Sequence, residues 1–234
     1  MVLTLTSLVV TVLLIIITPA FADNVIYIDQ TGSSATININ QDGTGNRVGS
    51  SGDDSVSDGA TTTMDIDQVG TGNELDYDIY GDTANITSNI TGNSSDVDIQ
   101  VGTTGGSNGG SDDVNITINA GGGNSNTVST NVGTTASGVD DVDIDVDITG
   151  GSNSVTITEE STASSITDKL TDVDITGSTN TVTISKSGAS QHDTTLNMTG
   201  SSNSASITQS GAEASTVDVT TNGSSSSVTI TVTD

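Results

Sequence analysis

Residues 147–158 read DITGGSNSVTIT, and the phrase returns three times toward the C-terminus. Residues 174–185 read DITGSTNTVTIS, residues 197–208 read NMTGSSNSASIT, and residues 221–231 read TNGSSSSVTIT. The shared core is Gly-x-x-Asn followed by two polar–apolar pairs. It falls at Gly150–Asn153, Gly177–Asn180 and Gly200–Asn203, and Ser226 takes the Asn place after Gly223. The glycines are spaced 27, 23 and 23 residues apart. Further copies are read at Gly43–Asn46, Gly70–Asn73, Gly105–Asn108 and Gly121–Asn124. A period of this size marks a repeat architecture, and it governs every local reading.

Each unit reads as strand, corner, strand and return loop. Val142, Ile144, Val146 and Ile148 alternate with Asp before the glycine, and Val155 and Ile157 alternate with Ser and Thr after it. Val182 and Ile184, Ala205 and Ile207, and Val228 and Ile230 repeat the arrangement. Period two with β-branched residues predicts strands with one buried face. The glycine is expected to supply a positive-φ turn. Beyond the N-terminal apolar run no stretch has helical spacing.

Two short strands cannot bury an apolar face alone, but stacked units can, each coil bonding to the next at about 4.8 Å. The expected fold is all-β: a stacked β-solenoid of about eight strand–turn–strand rungs, roughly 40 Å tall at that spacing. Its thin interior suits the composition, which is 31% hydrophobic and only 2% aromatic. Inward Asn residues of successive coils would form an amide ladder, since a buried amide without partners costs about 1–3 kcal/mol. The glycine- and serine-rich stretches at 50–60 and 103–111 are expected to be return loops.

Thirty acids face three bases, Arg47, Lys169 and Lys186, for a formal charge of −27. Such a chain repels nucleic acid and offers it no basic patch. Without cysteine it can form no disulfide or thiolate site. Residues 8–17, LVVTVLLIII, are followed by Pro19 and by Ala20-Phe21-Ala22. An apolar run, a breaker and an Ala-x-Ala site predict a secretory signal over residues 1–22. The solenoid would then span residues 23–234, secreted and extracellular or at the cell surface, with no membrane segment after cleavage. A retained anchor is the alternative, for which the run is short.

The corner pattern resembles the curlin repeat of curli-type amyloid subunits, which reads Gln-x-Gly-x-x-Asn with a second Gln six residues after the Asn. Gln30 and Gly32 match the first positions and Gln41 the second Gln, although Ala35 stands in the Asn place. Gln68, Gly70 and Asn73 match, with Ile79 in the second Gln place. Asn203 and Gln209 match, with Met198 at the first Gln, where Ile148 and Ile175 stand in other units. The resemblance implies a secreted solenoid that stacks end to end as a fibre or as biofilm and cell-surface matrix. Ladder and corner residues are then Gln30, Gly32, Gln41, Gly43, Gln68, Gly70, Asn73, Gly150, Asn153, Gly177, Asn180, Gly200, Asn203 and Gln209.

Other chemistry is sparse. Asp141, Asp143, Asp145 and Asp147 would share one outer face, as would Asp172 and Asp174. Calcium could relieve their repulsion, yet no calcium-loop spacing is present, and a solvated acidic face explains them equally. Thr156 and Thr158, Thr181 and Thr183, Ser206 and Thr208, and Thr229 and Thr231 are read as equivalent outer positions of four rungs. Thr favours exposed strand positions in any case, but a regular Thr-x-Thr face also fits an ice-binding protein. The single histidine, His192, is expected in an exposed return loop. With no second His and no bulky pocket, neither a metal site nor catalysis is expected. Tyr27, Tyr77 and Tyr80 are expected to pin the first rungs. The expected roles are therefore a structural fibre subunit, a discrete adhesin or virion surface component contacting glycans, or an ice-binding solenoid.

Overall fold

The computed structural model describes residues 2–6, 14–17, 24–49, 55–80, 83–102, 113–133, 141–160, 168–188, 191–211 and 214–233. Its strands are β1 (Val2–Thr6), β2 (Leu14–Ile17), β3 (Val25–Gly32), β4 (Ala35–Thr44), β5 (Arg47–Val48), β6 (Ser55–Gly59), β7 (Thr61–Thr71), β8 (Asn73–Tyr80) and β9 (Thr83–Gly92). They continue with β10 (Ser94–Val101), β11 (Asp113–Val132), β12 (Asp141–Glu160), β13 (Asp168–Ser187), β14 (Gln191–Thr199), β15 (Ser202–Ser210), β16 (Ser215–Asn222) and β17 (Ser225–Thr233). Among the described residues no helix is long and apolar enough to cross a membrane.

The molecule is an all-β solenoid in which every pairing is parallel. The chain runs up one side of each coil, turns the glycine corner and returns along the other. The first side stacks β4, β7, β9, the first halves of β11 to β13, β14 and β16. The second stacks β3, β5 with β6, β8, β10, the second halves of β11 to β13, β15 and β17. Six coils are complete and covered on both ends, from β7–β8 to β14–β15. The expected eight is reached only by adding the broken coil of β4, β5 and β6 and the terminal coil β16–β17. Ser55–Gly59, expected as loop, is the strand β6.

Strict alternation builds the core. Ile144, Val146, Val173, Ile157 and Ile184 are fully buried, while their chain neighbours face outward. Each such side chain rests on its counterpart one coil away, as Val155 does on Val182 and Ile157 on Ile184. Burying one β-branched aliphatic is worth about 1.5–3 kcal/mol, so the repetition compensates for the scarcity of large residues. Of the three tyrosines, Tyr77 alone is fully buried, in the coil of β7 and β8, and the Tyr80 hydroxyl donates to Asp78 at 3.0 Å.

In the later coils the corner glycines serve a purpose other than the expected one. Gly150, Gly177 and Gly200 do not have positive φ. A Cβ on Gly177 would collide with the carbonyl oxygen of Gly150 and with the amides of Asn153 and Asn180. Glycine is required there because successive corners pack backbone on backbone. Positive φ is found at the corner glycine Gly43 (149°), and at Gly45 (63°) and Gly72 (75°), each just before the corner Asn.

At the N-terminus, β1 lies parallel on β3 and β2 on β4. The expected cleavage site, residues 20–22, lies outside the described residues, as does the repeat copy read at Gly105–Asn108.

Candidate interaction faces and the polar columns

The corner amides form one column. Asn24, Asn46, Asn73, Ser95, Asn126, Asn153, Asn180, Asn203 and Ser226 occupy equivalent places in successive coils. Asn126 donates to the Oδ1 of Asn153 at 3.1 Å, Asn153 to that of Asn180 at 3.0 Å, and Asn180 to that of Asn203 at 2.9 Å. The same amide groups reach the backbone carbonyls of Thr149, Thr176 and Thr199. A buried polar group so satisfied holds the corner without a desolvation penalty. The corner of β11 is Gly123 with Asn126, paired with Gly150 and Asn153, and not Gly121 with Asn124 as expected. Three consecutive glycines at 121–123 left that register ambiguous in the sequence.

The glutamines fall into two columns. Gln41 pairs with Gln68, whose Nε2 donates to the Gln41 Oε1 at 2.8 Å, and Gly43 pairs with Gly70. Ile90, Ala120, Ile148, Ile175 and Met198 continue that column. Gln30 belongs to the opposite side, in the column of Ser57, Ile79, Val101, Val132, Glu159, Lys186 and Gln209. It accepts a hydrogen bond from the Ser57 hydroxyl at 2.7 Å. The first curlin-like unit as read from the sequence is thus displaced by half a coil. Gln41-x-Gly43 fills the first-Gln place, and Gly32 sits at the other corner, where the chain passes from β3 to β4.

The second column holds a group that residue type concealed. Glu159 and Lys186 are both fully buried, 3.6 Å apart on adjacent coils. The Thr171 hydroxyl donates to Glu159. The Lys186 ammonium donates to the carbonyls of Lys169 (2.9 Å) and Asp193 (2.7 Å), and Lys169 Nζ donates to the carbonyl of Ser187 at 3.0 Å. His192 stacks on Lys169 and is buried in β14, not exposed in a loop as expected. The Gln209 amide donates to Thr194 at 2.8 Å. Burial lowers the Lys186 pKa, brings that of Lys169 to about 8 and that of His192 to about 4; the nearby lysines add to the His192 shift. Two of the three bases and the single His therefore sit inside, joining β12 to β15. The signal was in the spacing: Glu159, Lys186 and Gln209 are 27 and 23 residues apart, the repeat period itself.

The two outer faces differ. On the first side Asp145 stacks on Asp172 and Asp147 on Asp174. Partial burial, with the neighbouring carboxylates, raises the pKa of Asp145 and Asp172. A groove of about 360 Å³ on this side is lined by Asn85, Asp113, Asn115, Asp141 and Asp143, with Thr83 and Val114. Among the described residues no group of three or more His, Asp or Glu is arranged to hold a metal ion. Within the groove Asn115 donates to Asn85 (3.2 Å), and elsewhere on this side Asn119 donates to Asn89 (2.9 Å) and Asn197 to Asp174 (2.7 Å).

The second side begins acidic, with Glu74, Asp96 and Asp98, and Glu74 pairs with Arg47 at 2.9 Å. From β11 onward it carries hydroxyls in three columns. One is Thr127, Ser154, Thr181, Ser204 and Ser227; the next is Ser129, Thr156, Thr183, Ser206 and Thr229; the third is Asn131, Thr158, Ser185, Thr208 and Thr231. Thr181 thus aligns with Ser154, two residues from the position expected for it, and Thr183 aligns with Thr156.

No family model matches the chain, and neither a curated protein nor a solved structure matches it.

Proposed function

We propose that the chain is a secreted structural protein, a curli-like subunit of a fibre or cell-surface matrix, whose coils join end to end. The observation that supports this is the last coil. Val228, Ile230 and Val232 are 40%, 45% and 48% exposed, whereas Ala205, Ile207 and Gln209 in the same columns of the previous coil are 4%, 0% and 0% exposed. Among the described residues β17 pairs with β15 alone. An open edge of this kind recruits another chain, and a parallel head-to-tail contact repeats without closing. The first coil carries matching chemistry: Ile26 heads the column that ends at Val228. In the full chain β1 and β2 occupy that end, so loss of residues 1–22 would uncover it. Secretion rests on the apolar run and the Ala-x-Ala of the sequence.

The formal charge of −27 opposes association, and salt screens it over about 8–10 Å. The chain beginning at Asp23, incubated with and without sodium chloride and calcium, is expected to give fibres under electron microscopy in the screened samples. Ile230→Lys should suppress them. A chain that stays monomeric under all these conditions would overturn the reading in favour of a discrete surface protein.

A further inference from the structure

We propose that the hydroxyl face of β11–β13, β15 and β17 binds the ordered water lattice at the surface of ice. Of the fifteen positions in its three central columns, fourteen are Ser or Thr and the other is Asn131. None carries a charge, in a chain with thirty acids. Among the described residues the outward-facing acids lie on the opposite side of these same coils or on the earlier coils of this side, except Glu160, which borders the array at the end of β12 next to Ser187.

The hydroxyls are also unengaged. Among the described residues none of the fifteen side chains makes a hydrogen bond to the protein, whereas the outward amides of Asn115, Asn119 and Asn197 bond along their columns. The acidic side uses its Asn amides along the columns, whereas the hydroxyl face keeps its donors and acceptors for a ligand.

The array repeats in two directions. Adjacent coils place equivalent hydroxyls about 4.8 Å apart, and alternate residues of a strand place them about 6.6–6.8 Å apart. Thr is stiff at χ1, and the inner side of each strand is pinned by buried Val155, Ile157, Val182 and Ile184. A ligand fitting this face is neutral, donates and accepts hydrogen bonds, tolerates methyl groups and is itself periodic in two dimensions. The water layers exposed on an ice crystal have those properties, with repeats of comparable size. A carboxylate would hold a hydration shell of its own geometry, and none stands at the fifteen positions; Glu160 lies at their border. A polysaccharide surface fits less well, because none of Tyr27, Tyr77 and Tyr80 lies on these coils to stack against a sugar ring.

The inference is independent of end-to-end assembly, and its test uses the full chain at concentrations where sedimentation shows a monomer. Thermal hysteresis and faceted ice growth are expected for the unaltered protein. Thr183→Lys and Thr156→Lys should lose both while circular dichroism stays unchanged. Thr87→Lys and Thr117→Lys, on the opposite side, should keep both. Rounded ice without hysteresis in the unaltered protein would overturn the proposal, as would full activity in Thr183→Lys. A dimer at higher concentration that Thr183→Lys abolishes, with no hysteresis in either protein, would overturn it too and assign the face to a second copy.

Discussion

One serine interrupts the amide column. Ser95 stands between Asn73 and Asn126, and its hydroxyl and the Asn126 Oδ1 are buried without partners. From Asn126 through Asn180 each Asn donates to the Oδ1 of the next coil. Ser95→Asn would supply the missing donor. The gain should be about 1 kcal/mol, the net value of one satisfied hydrogen bond. It would be read as a higher midpoint in denaturant with an unchanged slope; a lowered midpoint would mean that the serine is there because the longer side chain does not fit. The repeat made most of this column legible, because Asn153, Asn180 and Asn203 each stand three residues after a corner glycine. It did not reveal why the glycines are needed. Backbone contact between coils is a property of the stack, and no single unit displays it.

The strands of β12 and β13 could be read from alternation alone, since every Val and Ile of 142–148 and 155–157 points inward as period two requires. Registration of the first unit could not, because Gln-x-Gly stands at both corners, at Gly32 and at Gly43, and only pairing distinguishes them. The cluster joining β12 to β15 was concealed because Lys and His are ordinarily surface residues. It has a pH signature. The His192 pKa falls from 6.5 unfolded to about 4 folded, because burial and the nearby Lys169 and Lys186 disfavour its proton, with Asp193 opposing them. A base lowered in the folded state contributes stability that is complete above the unfolded value and lost as pH falls toward the folded one. The thermal midpoint should therefore decline between about pH 6.5 and pH 4, with hydrogen exchange rising first in β14. His192→Gln should flatten that decline, and an unaltered profile would show that the loss arises elsewhere. Glu159→Gln should destabilise at neutral pH by about 3–5 kcal/mol, because it leaves the Lys186 ammonium buried without its counter-charge.

Across the whole molecule the charge is distributed by face. Asp145 and Asp172 stack in register, and both have raised pKa values from partial burial and from each other's neighbours. A carboxylate raised in the folded state opposes folding while ionised, so this face gains stability as pH falls through the folded value. Asp145→Asn should raise the thermal midpoint at pH 8 in low salt, and the gain should shrink as sodium chloride screens the array. A gain equal at low and high salt would point to packing instead. The repeat lengths carry one more implication. Successive coils are offset by 22 residues (Gln68 to Ile90), 30 (Ile90 to Ala120), 27 (Ile148 to Ile175) and 23 (Ile175 to Met198), yet each column stays aligned. Most of the difference is absorbed where the chain passes from one coil to the next, and one residue of it at the glycine corner of β11, where the register shifts between Ala120 and Gly123. A duplicated stretch of one coil's length would meet the same seat above and below that its parent met. Such a gene can grow or shrink by whole storeys through unequal recombination, so the height of the tower is free to drift while its cross-section is conserved.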